Sequence, residues 1–190
     1  MVPITAPMVC YVVNTRTSQF TVQAFANGLA VAVAHSPKIA IRDWTGEAKF
    51  NPVTLNDASI KVRIKAASLE VLDELRDADR RELHRVMNQE VLETAKFPDM
   101  VFESSEVKFE KQKDDLYKAN IRGSLTLHGQ TNDQAVSAQI AIGVDSARAY
   151  GDFTMLQTDY GIRIASIAGG TLRLRDELKI SFYVVARKQV

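Results

Sequence analysis

Three histidines and a single cysteine are the sharpest candidates for acid–base or nucleophilic chemistry in this 190-residue chain. A Ser–His–Asp relay is assembled in space rather than in sequence, so Ser36, His128 and Asp159 form a set to weigh. No nucleophile elbow accompanies it, and strands rarely supply one. His84 falls between Leu83 and Arg85 on the polar side of a helical pattern, where solvation is the better account. His128 stands directly before Gly129, where a turn-stabilising hydrogen bond explains it better than proton transfer. His35, ahead of Ser36-Pro37, could hydrogen-bond near the rim of a sheet. The three histidines lack ligand spacing, so no metal centre is expected. Cys10 has no motif around it and reads as a small hydrophobe, and one cysteine excludes an internal disulfide. Gly169-Gly170 lacks the Lys-Ser/Thr of a phosphate loop and reads as a turn. Catalysis is therefore not expected, and neither is a cofactor.

The 24 Lys and Arg nearly cancel the 23 Asp and Glu, leaving a formal charge of +1. That balance argues against a broad nucleic-acid surface, which needs clustered basic residues. No run approaches the ~20 apolar residues of a spanning helix. Met1 to Val13 is interrupted by Pro3 and Pro7 and carries no basic residue before Arg16, so it does not read as a secretory signal. The expectation is a cytoplasmic protein, or a periplasmic one if a leader has been removed. Linkers, repeats and low-complexity stretches are missing from the sequence, so residues 1–190 read as a single domain.

The elements that must position these residues are mostly strands. Period-two alternation places Phe20, Val22 and Ala24 on one face of Ser18–Ala26, and Ile60, Val62 and Ile64 on one face of Ala58–Ala67. The same pattern aligns Tyr117, Ala119, Ile121, Leu125 and Leu127, then Val136, Ala138, Ile140, Ile142 and Val144. A last strand, Arg175–Arg187, offers Leu178, Ile180, Phe182 and Val184. Within Lys38–Asn51, Ile39 and Ile41 share one parity while Trp44, Ala48 and Phe50 share the other. That phase change predicts a bulge near Asp43. Asp77–Ala95 breaks the alternation, with Leu83, Met87, Val91 and Ala95 at four-residue spacing. This predicts one amphipathic helix, capped by Asp77 or Asp79 and ended by Phe97-Pro98. About eight strands with one inserted helix leave a sandwich or a barrel, and the long strands favour the barrel. Dry faces rich in Ala and Val leave room for a cavity.

Several stretches, in order, resemble one known family. They are Asn14–Phe20, Phe97-Pro98 with Met100, Phe102 and Ser104, Gly123–Thr131 with its leucines and Gly-x-Thr, and Asp159-Tyr160-Gly161-Ile162. His35-Ser36-Pro37 with Ile39, Ile41 and Arg42-Asp43 is similar to a subgroup form of its second strand. This is the YceI-like family, and the resemblance covers nearly the whole chain. It implies an all-β, about eight-stranded antiparallel, lipocalin-like barrel with one inserted amphipathic helix. It also implies a polyisoprenoid or isoprenoid quinone in an apolar tunnel, and a homodimer.

On that reading the protein binds or transports a long-chain isoprenoid lipid without catalysis. The apolar wall residues are Phe20, Val22, Phe102, Tyr117, Ile121, Leu125, Ile140, Ile142, Phe153 and Phe182, and Tyr117 could also meet a head group. Phe153 and Met155, near Tyr160-Gly161, are candidates to gate the barrel mouth. Two alternatives remain open at this stage. One is a filled barrel whose helix Asp77–Ala95 is a contact surface. The other is an enzyme acting on a small hydrophobic substrate through His35 or Asp159.

Overall fold

The computed structural model describes residues 7–27, 36–164, 166–167 and 172–189. Its strands are β1 (Val9–Val13), β2 (Gln19–Asn27), β3 (Lys38–Ile41), β4 (Trp44–Phe50), β5 (Ser59–Lys65) and β6 (Leu69–Val71). After the helix α1 (Asp77–Val86) come β7 (Asp99–Lys113), β8 (Leu116–Leu127), β9 (Gln130–Ile142), β10 (Ser146–Leu156), β11 (Ser166–Ile167) and β12 (Leu172–Lys188). Eight of them close a ring in the order β1-β4-β5-β7-β8-β9-β10-β12, with β12 returning to β1 through Tyr11↔Lys188 and Val13↔Ala186. All neighbours are antiparallel, so the fold is the expected all-β barrel. Closure removes the exposed edges that an open sheet would leave.

The remaining strands arise because three successive segments break in step. β1 and β2 lie along the same edge of β12, separated by a turn in which the Thr17 amide donates to Asn14 O at 3.2 Å. Ser18 patches the ladder across that break: its Oγ accepts from the Val185 amide at 2.8 Å and donates to Val185 O at 3.3 Å. β3 and β4 part at Arg42-Asp43, and β5 and β6 part at the short 3-10 turn Ala66–Ser68. The Arg42 amide donates to Ser68 O at 3.1 Å and the Lys65 amide to Asp43 O at 2.9 Å, so the two breaks are tied together.

The bulge expected near Asp43 is therefore a full break between two strands. Exposed Arg42 and Asp43 take the chain through the phase change, so Ile41 on one side and Trp44 on the other both bury inward.

β6 is left as an edge, because β7 pairs with β5 and not with it. α1 covers that edge: the Arg80 guanidinium donates to Val71 O at 3.0 Å and Asp73 O at 3.2 Å. The helix differs from its sequence-based outline at both ends. Arg76 occupies the cap position with no side-chain cap, and Asp79 instead pairs with Arg76 at 2.7 Å. Asp77 and Asp79 still place negative charge in the first turn, which suits the helix dipole. The last turn, Met87–Val91, widens to π geometry, with the Leu92 amide donating to Met87 O at 2.9 Å. Widening lets both Met87 and Leu92 bury in the core. Glu93, at φ 45°, then stops the helix before Ala95.

The β8–β9 connection is a two-residue turn with His128 at φ 52° and Gly129 at φ 74°. Two positive φ values in sequence make the type I′ geometry that matches strand twist. A Cβ on Gly129 would also fall 2.6 Å from the Phe97 ring.

Candidate functional site

Inward-facing positions of the strands enclose an apolar cavity of ≈ 260 Å³. β12 supplies Leu178, Ile180, Phe182, Val184 and Ala186, and β10 supplies Ala147, Ala149, Phe153 and Met155. The opposite wall is Ile60, Val62 and Ile64 of β5 with Trp44, Gly46, Ala48 and Phe50 of β4. From Leu178 to Ala186 the wall runs ~26 Å along the strand at ~3.3 Å per residue, so the space is long and narrow.

One end is plugged by Tyr11 stacked on Phe50 at 4.7 Å, with the Phe109 ring 6.2 Å from Phe50. At mid-length Phe20 meets Trp44 edge-on at 4.7 Å and Phe182 at 5.7 Å. Toward the other end the lining is Leu92, Gln157 and Ile162, beneath the end of the helical segment. Gly46, Ala48, Ala138, Ala147 and Ala149 are why the barrel is hollow: these positions carry little side chain where a filled barrel would carry Leu or Phe.

Of the ten wall residues read from the sequence, Phe20, Val22, Phe102, Ile121, Leu125, Ile140, Phe153 and Phe182 face this cavity. Tyr117 and Ile142 do not line it. Tyr117 packs edge-on against Phe109, ring centres 6.2 Å apart, and Ile142 packs against the cluster of Tyr11, Phe50 and Ala186. Both lie toward the barrel end occupied by the Tyr11, Phe50 and Phe109 rings, where packing against that cluster takes their side chains out of the lining. Trp44, Tyr11, Phe50, Met155, Leu178 and Ile180 also line the cavity, although none is among those ten wall residues. Strand parity carried the signal for them: Leu178 and Ile180 alternate with Phe182, and Trp44 shares its parity with Phe50.

Polar groups are few on this surface. Gln157 is 4% exposed, and its Nε2 donates to Arg175 O at 2.9 Å, which satisfies the amide while its side chain borders the cavity. Burial raises the phenol pKa of Tyr11 and of Tyr160 above the usual value, with Asp145 and Asp159 respectively adding to the effect.

His128 is a brace outside the lining. Its Nδ1 lies 3.2 Å from Tyr160 O, its Nε2 2.8 Å from Glu93 Oε2, and the Phe97 ring is 4.5 Å away. The ring thus ties the β8–β9 turn to the end of the helical segment and to the turn after β10. The Ser36, His128 and Asp159 set is not assembled as a relay. The backbone carbonyl of Ser36 accepts from Gln23 Nε2 at 2.8 Å, and that of Asp159 accepts from Asn132 Nδ2 at 2.8 Å. His84 is on α1 with Asn88 Nδ2 3.2 Å from its Nε2. His35 and Gly169-Gly170 lie outside the described residues. Among the described residues no cluster of three His, Cys, Asp or Glu side chains is placed to hold a metal.

Known structures share this architecture. BcnA of Burkholderia cenocepacia superposes with a TM-score of 0.71 at 18% identity, covering 91% of this chain and 98% of its own. A polyisoprenoid binding domain from Saccharophagus degradans, implicated in plant cell wall breakdown, gives 0.67 at 10% identity, covering 94% and 98%. The YceI protein of Campylobacter jejuni gives 0.64 at 18%, covering 83% and 88%. None of the curated proteins matches the chain. The model of the YceI-like domain matches residues 11–186, from the first strand to the last, and the chain belongs to that family.

Proposed function

We propose that this protein binds one long apolar chain in the barrel interior, an isoprenoid lipid such as a polyprenol or the tail of an isoprenoid quinone, and carries it without altering it chemically. The observation that carries this reading is the cavity itself: long, narrow, walled by apolar side chains from both halves of the barrel, and kept hollow by small residues. Each methylene taken from water into such a wall stabilises the complex by ~0.8 kcal/mol, offset by ordering of the chain. The similarity to a domain described as polyisoprenoid binding supports the isoprenoid class.

The histidine best fixed in space is held between a carboxylate and a carbonyl outside the lining, which favours a carrier over a catalyst. Native mass spectrometry of the purified protein, followed by organic extraction, tests the reading. A bound species whose fragments step by isoprene units is the expected result. A clean unliganded mass that takes up neither polyprenols nor quinones would refute it.

A further inference from the structure

β9 and β10 do not stay together along their length. Their ladder runs from Ile142↔Ala147 to Ser137↔Asp152 and stops there. β9 nonetheless continues to Gln130 against β8, and β10 continues to Leu156 against β12. The facing edges of residues 133–136 and 153–156 are left unpaired, until the Asn132 side chain reaches Asp159 O at 2.8 Å. The barrel wall therefore contains a slot, bounded below by the last ladder pair and above by that hydrogen bond.

A groove on the outer surface lies over the slot, edged by Lys108, Asn120, Arg122, Gln134, Asp152 and Thr154. Ile121, Val136 and Phe153 line both this outer groove and the interior cavity. Val136 and Phe153 point inward yet stay half-buried, whereas Ala138 and Ile140, on the zipped part of β9, are buried.

We propose that this slot is the lateral doorway of the cavity. The apolar chain slides in past Val136 and Phe153 and runs toward the Tyr11–Phe50 plug, while its polar end stays outside in the groove. This rests on the lipid-binding reading above and adds a route and a head-group class to it. A cavity of ≈ 260 Å³ lies just under the ~300–1,000 Å³ usual for small-molecule sites, so a long isoprenoid must protrude, and the plugged end offers no way out.

In the groove Glu106 pairs with Lys108 at 2.7 Å and Asp152 pairs with Lys179 at 3.3 Å. The Arg122 guanidinium faces Glu106 across the ladder and, after Lys108, helps hold that carboxyl below its ordinary range, but among the described residues it makes no contact ion pair of its own, since Glu106 is taken by Lys108. It is placed to hold an anionic or hydrogen-bond-accepting head group.

The test bridges the slot. Ala135 and Thr154 are exposed and fall opposite one another if the ladder is continued two residues past Ser137↔Asp152. A Cys10→Ser, Ala135→Cys, Thr154→Cys variant is oxidised, or bridged by a short bis-maleimide if the strands do not close far enough for a disulfide. Uptake and release of cis-parinaric acid, a polyene fatty acid that fluoresces on leaving water, are followed by stopped flow.

Bridging should slow both rates by at least about tenfold relative to the same variant left unbridged. A control bridge between Gln139→Cys and Tyr150→Cys, register partners on the zipped part, should leave the rates unchanged. A bridge confirmed by mass that leaves both rates as before would overturn the doorway alone. Absence of uptake by the parent protein would instead sink the lipid-binding reading, and the doorway with it. Arg122→Gln should weaken the acid severalfold and spare its methyl ester, and equal loss for both would remove the head group from the groove.

Discussion

Replacing Ile140 by tryptophan should shorten the space available to a bound chain. Ile140 is 9% exposed, faces the cavity and stands opposite Tyr117 on one side and Ala149 on the other. Ala138 and Ala149 leave the room into which an indole would swing. Adding about six heavy atoms there displaces roughly four methylene units of ligand. At ~0.8 kcal/mol each this is ~3 kcal/mol, or ~150-fold in Kd. In a filled core the same change would cost ~1–3 kcal/mol of stability from overpacking. Here the indole enters empty volume, so the thermal midpoint should move by no more than about 4 °C.

The assay is calorimetric titration of parent and variant with a series of isoprenoid alcohols of increasing length. Short chains that stop before Ile140 should bind both proteins alike, and long chains should lose affinity for the variant. A folded Ile140→Trp protein that binds every length as the parent does would refute the assignment of this wall.

Three further outcomes follow from the geometry. Gly151→Ala would put a Cβ 2.4 Å from Ser137 O and 3.0 Å from the Phe182 ring, and backbone cannot give way as a side chain can. It should cost ~1–3 kcal/mol, read as a drop in the denaturant midpoint, and an unchanged midpoint would contradict the close approach. His128→Ala removes the bridge from Glu93 to Tyr160 O and should cost ~1–3 kcal/mol, with faster amide exchange at the end of the helical segment. Equal exchange in both proteins would remove the brace. Burial first and Asp159 second raise the Tyr160 phenol pKa, so the folded state holds this proton more tightly than the unfolded chain does. Its contribution is whole below the ordinary phenol pKa of ~10 and is lost as pH climbs through the raised value. Stability should therefore fall more steeply above pH ~10 in the parent than in Tyr160→Phe, and parallel curves would show that Tyr160 does not drive the loss.

Legibility from sequence followed the length and regularity of each segment. β8, β9 and β12 run over 12, 13 and 17 residues, long enough for alternation to mark their inward faces, except at Val144, which lies past the end of β9 and is exposed. β6 has three residues and β3 has four, too few for a period of two to stand out, so the stepwise break of the sheet appeared in sequence merely as a phase change near Asp43. β1 does not stand out as a strand in the sequence, because its five residues find their partners, Glu47–Phe50 and Ala186–Lys188, far away in the chain. The early end of the helix was hidden for a different reason. Four-residue spacing continues to Ala95, but burial of both Met87 and Leu92 favours a widened turn that spacing cannot announce. Tyr117 and Ile142 have the right parity and the wrong depth, since parity says which face a residue joins and nothing about how far along the barrel the plug stands.

The residues that carry the family resemblance meet the cavity wall at Phe20, Met100, Phe102, Leu125, Leu127 and Ile162, but the others serve the fold instead, and the structure gives the reason. Ser18 stitches the broken first edge to Val185, Ser104 accepts the Ile60 amide at 2.8 Å, and Phe97 packs over the His128-Gly129 turn. Gly161, at φ 66°, closes the turn whose Tyr160 carbonyl faces His128. Each meets a demand that few other residue types satisfy, so each leaves a motif. A wall position has only to be apolar, inward and of suitable bulk, and Ala138, Ile140 or Ala149 could be exchanged for other aliphatic residues without disturbing closure. Changing the bulk at such positions alters the length and bore of the cavity while the stitches hold the barrel shut. Chain length and width are thus the properties of a ligand that this architecture can retune most freely. Head-group selection must come from the few polar residues at an opening, such as Arg122 beside the slot.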